Sequence, residues 1–223
     1  MEKRYIRNVP ALSETELSAL RSKEVAVIGC GGLGGYLVEY LARMGIGAIR
    51  VVDGDVFDES NLNRQLLCSS ASLGKNKARI AAERIRQIDP SLSVQAHPVF
   101  LGQSNARQLI AGCHAVLDGL DNIPARRLLA KACEEENIPY IYGAIDRWTA
   151  QAAIVFPADR LLEKLYPQDA ASGAASVLSF TPAVCAGMQA ALCVKLLTGR
   201  SVETGKLHYL DLLQEAYEQI SIK

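Results

Sequence analysis

The sequence predicts an α/β fold: a mostly parallel sheet with helices on both faces, extended by antiparallel strands in the C-terminal third. Three observations predict it. Short apolar runs alternate with helix-period patterns through the first two thirds of the chain, as strands of a parallel sheet and their covering helices do. One such run, Val25 to Ile28, passes directly into Gly29-Cys30-Gly31-Gly32-Leu33-Gly34 and then a helical pattern. From Thr149 onward the style changes to strands that can pair without a helix between them. With 223 residues, 49% of them hydrophobic, the chain can bury a substantial core, and one unit spanning 1–223 is expected.

In chain order, an N-terminal helical arm (1–24) precedes the first strand. Leu33, Leu37, Tyr40, Leu41 and Met44 then fall at helix spacing. A second strand, Ile49 to Val52, ends in Asp53 and gives way to a polar loop reaching Ser60. Helical stretches including Lys77 to Gln87 follow, stopped by Asp89-Pro90. Ser93 to Val99 alternates as a third strand, and Asn105 to Ala111 reads as a short helix. Ala115 to Leu117 is a fourth strand running into Asp118-Gly119-Leu120-Asp121-Asn122. Pro124 to Asn137 is a helix with Leu128, Leu129 and Ala132 inward, and Pro139 to Tyr142 is a fifth strand. Ala150 to Phe156, Leu207 to Asp211 and Tyr217 to Ile222 read as the antiparallel part. Between them, Pro157 to Ser179 is rich in Ala and Ser and reads as a mobile loop with one helical turn. Thr181 is the expected N-cap, and Pro182 the first position, of an apolar helix running to Leu197 and ended by Gly199.

The strand, glycine turn and helix order around residue 29 is that of a Rossmann-type nucleotide site. Gly29, Gly31, Gly32 and Gly34 let backbone approach a ligand, while the helix N-terminus offers unpaired N–H groups to an anion. Asp53, at the end of the second strand, stands where a carboxylate accepts hydrogen bonds from a ribose. Loops 29–34, 53–65 and 118–122 all follow strand carboxyl ends and should gather at one edge of the sheet.

Lys plus Arg number 24 and Asp plus Glu 24, so no net charge draws the chain to nucleic acid or an anionic membrane. The N-terminus lacks an apolar signal-peptide core and no stretch approaches a membrane span, so a soluble cytoplasmic protein is expected. The 6 cysteines are scattered without a C-x-x-C pair, and the 3 histidines lack metal-ligand spacing, which argues against a disulfide framework or a zinc site.

The segment Asp53-Gly54-Asp55-Val56-Phe57-Asp58-Glu59-Ser60-Asn61-Leu62-Asn63-Arg64-Gln65 is more than a dinucleotide oxidoreductase needs. Together with the glycine turn, Gly74-Lys75-Asn76-Lys77, and Asp118 to Asn122 followed by Arg126, it resembles the ThiF/MoeB/HesA branch of the ubiquitin-activating enzyme superfamily. The resemblance covers residues 4 to 155; beyond that it is one of outline. It implies an adenylyltransferase that uses ATP and Mg²⁺ to activate the C-terminal Gly-Gly carboxylate of a small ubiquitin-like sulfur-carrier protein, releasing pyrophosphate, in thiamine, molybdenum cofactor, cysteine or a related sulfur pathway. Carried over by position, Asp53 holds the ribose, Asn61, Arg64 and Lys77 contact the phosphates, and Asp121 binds Mg²⁺. Arg7 matches an arginine that reaches the ATP of a neighbouring subunit, which implies a homodimer. Asp118, nearer the strand end, is read as orienting its loop.

The chain departs from the family in two places. Many relatives hold zinc with two C-x-x-C pairs, which are missing here, and many carry a reactive cysteine in the crossover loop. The corresponding stretch, 157–180, is short and has no cysteine. Cys185 is the nearest candidate and, set in an apolar helix, reads as a buried inert thiol. Three alternatives stand beside adenylation of a carrier: an ATP-dependent dehydratase acting on a modified tRNA nucleoside, an NAD-dependent oxidoreductase, and a nucleotide-binding partner that docks a carrier without turnover.

Overall fold

A computed structural model describes residues 3–167 and 176–222. Eight strands form one sheet: β1 (Glu24–Ile28), β2 (Ala48–Val52), β3 (Ser93–His97), β4 (Ala115–Asp118), β5 (Tyr140–Asp146), β6 (Thr149–Val155), β7 (Lys206–Asp211) and β8 (Ala216–Ser221). Their order is β3-β2-β1-β4-β5-β6-β7-β8. Pairings from β3 to β5 are parallel, and those from β5 to β8 antiparallel. The chain moves outward from β1 through β2 to β3, then returns to lay β4 on the other side of β1. That reversal opens a crevice at the carboxyl ends of β1 and β4, where sheets of this kind take ligands.

The parallel strands are nearly continuous apolar runs because both their faces are covered. Val25 and Val27 point into one core with Leu37, Leu41, Ile49, Val51 and Ile85. Ala26 and Ile28 point into the other with Val116, Leu129, Tyr140 and Tyr142. The helices are α1 (Glu14–Arg21), α2 (Gly32–Met44), α3 (Lys77–Ile88), α4 (Ala106–Ile110), α5 (Ile123–Glu135), α6 (Leu161–Leu165) and α7 (Phe180–Leu197). Local chemistry sets several starts: Ser13 and Glu16 form a capping box for α1, and the Asn76 and Asn122 side chains cap α3 and α5.

The N-terminal arm is a 3₁₀ helix, Lys3–Asn8, followed by α1. It is fastened by Asp89, which is 0% exposed. One Asp89 oxygen accepts from Arg4 (2.7 Å), the Ser91 N–H (2.9 Å) and the Ser91 hydroxyl (2.6 Å); the other accepts from the Tyr5 hydroxyl (2.5 Å) and Arg21 (2.9 Å). Burial alone would raise the Asp89 carboxyl, but the hydrogen bonds from Ser91, Tyr5 and Arg21 together hold it well below the ordinary carboxylate range. Burial, followed by the bond to Asp89, pushes the Tyr5 phenol up to about 12.

Several expectations need correction. The third strand ends at His97, because the Val99 N–H turns back to the His97 carbonyl (2.8 Å). In the 157–179 stretch the expected helical turn is α6, with Leu161 and Leu162 buried in the second core. Residues 168–175 of that expected loop lie outside the described residues. Thr181 does not cap α7, which begins at Phe180 with Ser179 before it making no side-chain cap. The Thr181 hydroxyl instead donates to the Arg147 carbonyl (2.8 Å), a tertiary contact that outcompetes the local one.

The expectation that no segment approaches a membrane span also fails by length and composition, since α7 has 18 residues of mean hydropathy 1.5. Here α7 packs on α2, β5 and β6. Its buried Gln189 donates to the Asp118 (2.9 Å) and Ile141 (3.1 Å) carbonyls. Gly143 makes room for that amide, which a Cβ at this position would strike.

Candidate active site

The site begins with backbone. Gly29 has φ +90°, and a Cβ there would lie 2.6 Å from the Gly119 carbonyl oxygen. Side chains on Gly34 or Gly119 would collide with the Gly29 carbonyl. The turn after β1, the start of α2 and the turn after β4 therefore touch through main chain alone, and no other residue fits at these three points. Gly31 takes the N-cap position of α2 without a side-chain cap, so the first N–H groups of the helix are free to meet an anion.

Asp53 closes this turn from β2. One of its oxygens accepts from the Cys30 N–H (2.7 Å) and the other from the Asp55 N–H (2.9 Å). Burial raises the Asp53 carboxyl above the ordinary value, against those two bonds and the charge of Lys77. Each oxygen keeps acceptor capacity beyond its one bond. Beside it, Phe100 is 72% exposed, its ring lying where a Cβ on Gly54 would come within 2.6 Å. The Phe100 carbonyl accepts from the Asn105 amide (2.9 Å), which fixes that turn.

Lys77 is the buried cation of the site, at the first turn of α3. Its ammonium is 2.5 Å from an Asp55 oxygen and lies over the Phe57 ring. The Asn76 amide ties the preceding turn to the Asp53 and Asp55 carbonyls, both at 3.0 Å. Burial works against the charged Asp55 carboxyl, but the bond from Lys77 holds it below the ordinary value. Asn61 is buried in a 3₁₀ turn, Glu59–Asn61, with its amide near the Asp58 N–H and the Ser60 hydroxyl (3.3 Å each). Arg64 is half-buried, held by the Ser60 carbonyl and the Asn63 amide oxygen, both at 2.9 Å. Gln65, next along, covers Gly31.

The loop after β4 holds two carboxylates of opposite character. Asp118 is fully buried, 3.2 Å from Arg126 Nε, accepting from Tyr140 (2.5 Å) and the Leu120 N–H (2.8 Å). Arg126 also donates to the Leu120 carbonyl (2.7 Å) and to the Tyr166 hydroxyl (3.0 Å), which meets Tyr142 at 2.6 Å. Asp121 is exposed, and one of its oxygens accepts from the Asn122 amide at 3.2 Å. Among the described residues no cluster of three His, Cys, Asp or Glu side chains forms a metal cage, so a cation at Asp121 would take most of its ligands from a substrate and water.

Arg7 lies apart from these groups. It is exposed in the 3₁₀ helix whose Tyr5 packs on Gly45, just beyond the C-terminus of α2, whereas the glycine turn is at the N-terminus of that helix. The 13 residues of α2 separate the two, about 20 Å at helical rise. Cys185 is buried between the Gln151 (3.3 Å) and Ala144 (3.6 Å) carbonyls, and burial pushes its thiol up to about 12. A thiol so placed is not a nucleophile at neutral pH.

Sequence reasoning missed the Arg126–Tyr140–Tyr142–Tyr166 network, although Tyr140 and Tyr142, two apart on a strand, necessarily share a face. It also missed Phe100. An aromatic three residues past a strand end at the binding edge was the available signal.

Several known proteins resemble this chain in sequence or fold. The SAMP-activating enzyme E1 of Haloferax volcanii is 34% identical over 90% of this chain and 77% of its own length. The sulfur carrier protein adenylyltransferase of Thermus thermophilus is 30% identical over 99% and 87%. The probable adenylyltransferase/sulfurtransferase MoeZ of Mycobacterium tuberculosis is 36% identical, and the chain spans 60% of it. Among solved structures, E. coli MccB with ATP aligns at a TM-score of 0.84 and 19% identity, covering 100% of this chain and 71% of that one, a likeness of fold. The model of the ThiF family matches residues 3–223, and with those relatives it establishes that the chain belongs to the ThiF family.

Proposed function

We infer that the chain is an ATP-dependent adenylyltransferase that activates the C-terminal Gly-Gly carboxylate of a small ubiquitin-like sulfur carrier. The observation that carries this reading is the main-chain contact of Gly29 and Gly34 with Gly119, which sets the free N-terminus of α2 beside the loop bearing Asp121. A phosphate chain on the helix N-terminus then lies between Lys77 and Arg64 on one side and Asp121 on the other. Attack of a carboxylate on the α-phosphate brings two anions together, so the work of the site is charge neutralisation and alignment. Lys77 and Arg64 supply fixed positive charge, Asn61 a neutral donor, and Asp53 its remaining lone pairs to a ribose. Phe100 offers a flat apolar face beside Asp53 for the base. Asp121 is a hard, open carboxylate suited to Mg²⁺, which when bound neutralises phosphate charge. An NAD-dependent reaction would leave Asn61, Arg64 and Lys77 without a task.

The test is ATP–pyrophosphate exchange that depends on a carrier ending in Gly-Gly. Exchange by Arg64→Ala at the parent rate would remove Arg64 from the site, and exchange without any carrier would remove the carrier.

We also propose a homodimer in which Arg7 serves the partner's site, since within its own chain it stands at the far end of α2. Mixing Arg7→Ala with Asp121→Ala protomers should restore part of the exchange activity that each lacks alone. No recovery on mixing would sink the shared-site reading. Six free cysteines among the described residues fit a reducing compartment, and we place the protein in the cytoplasm. Recovery in a membrane or secreted fraction would overturn that placement.

A further inference from the structure

The side chain of Gln65 makes no hydrogen bond among the described residues, although it is 7% exposed and its amide oxygen is fully shielded. An unpaired amide at such depth is uncommon in folded proteins. It is not loosely held. The Gln65 N–H donates to the Asn61 carbonyl (3.0 Å), and the Gln65 carbonyl accepts from the Cys68 N–H (2.9 Å), so the backbone on both sides is fixed.

The amide stands over the glycine turn. A Cβ on Gly31 would lie 3.4 Å from its nitrogen and 3.8 Å from its oxygen. Pro182, at the start of α7, approaches Gly32 from another side, 3.7 Å from where a Cβ would be. The uncapped N-terminus of the 13-residue α2 is thus overhung by an amide that makes no hydrogen bond among the described residues and whose oxygen is buried without a partner. An amide needs one partner of each kind, and exchanging its nitrogen and oxygen by a half-turn leaves that need unchanged.

We propose that Gln65 is a further binding residue for the nucleotide. Its N–H₂ donates to a phosphate oxygen seated on the N-terminus of α2, and its carbonyl takes a hydrogen from a water brought in with the phosphates. This rests on the reading of the site as an ATP site. The unmet hydrogen bond of the buried oxygen is a cost carried by the ligand-free protein and relieved on binding, so Gln65 couples nucleotide affinity to stability.

The test compares Gln65→Met, apolar and of similar length, with the parent. Thermal unfolding is followed without ligand, with adenosine, and with ATP and Mg²⁺, and dissociation constants are measured by calorimetry. Expected for Gln65→Met are an unfolding midpoint equal to or above the parent's without ligand, unchanged adenosine affinity, and ATP affinity lowered about tenfold or more. Gln65→Glu, which sets a carboxylate against the phosphates, should bind ATP more weakly still. Parental ATP affinity in Gln65→Met, or equal weakening of adenosine and ATP, overturns the assignment while the adenylation reading stands. A parent that binds no ATP overturns both.

Discussion

The knot around Asp89 and the loop from Asp118 to Asn122 sit at opposite ends of the sheet and use carboxylates differently. Asp89 accepts five hydrogen bonds and has no exposed surface; its capacity is spent on fastening the arm. At the other end the load is divided. Asp118 is buried and held by Tyr140, the Leu120 N–H and the Arg126 charge, and three residues later Asp121 is open to solvent with one weak neighbour. A carboxylate with all lone pairs engaged builds structure, and one held nearby with lone pairs to spare is available to a ligand.

That contrast can be broken by substitution, and the largest effect should come from Asp118. Asp118→Ala leaves Arg126 buried without its counter-charge, and loss of one partner of a buried pair costs about 3–5 kcal/mol. Urea unfolding should show it as a lower midpoint; a loss below about 1 kcal/mol would mean that the loop is held by other means. Asp121→Ala should do the reverse, lowering pyrophosphate exchange by about 10²–10³ while unfolding shifts by no more than about 0.5 kcal/mol. An Asp121 variant that is destabilised would blur the distinction between the two carboxylates.

The Asp89 end sharpens it through pH. Because Asp89 is held below its ordinary value of 3.8, its stabilisation is complete above that pH and is lost as the pH falls through and below it. Asp89→Asn should cost about 1.5–3 kcal/mol at neutral pH and flatten the acid side of the stability curve. An unchanged acid limb would show that the knot is not what fails in acid.

How much was legible in the sequence follows the same division. The glycine turn and Asp53 were readable because each belongs to a local pattern of strand, turn and helix. The Asp118 network was not, because its members come from β4, α5, β5 and the segment after α6 and meet only once the sheet is assembled. The misread cap at Thr181 has the same cause: the Arg147 carbonyl, remote in sequence, takes the hydroxyl that a local rule assigns to the helix. Gln65 was visible within its motif, but only the fold shows that nothing pairs with it.

The contact of Gly29 and Gly34 with Gly119 also bears on when the site comes into being during synthesis. β1 lies against β4, which is made only after β2, α2, β3 and α3. Until Gly119 has left the ribosome, the turn at residue 29 has no floor, however complete its own strand and helix. A nascent chain arrested at residue 114 should fail to retain ATP, and the whole 1–223 chain should hold it.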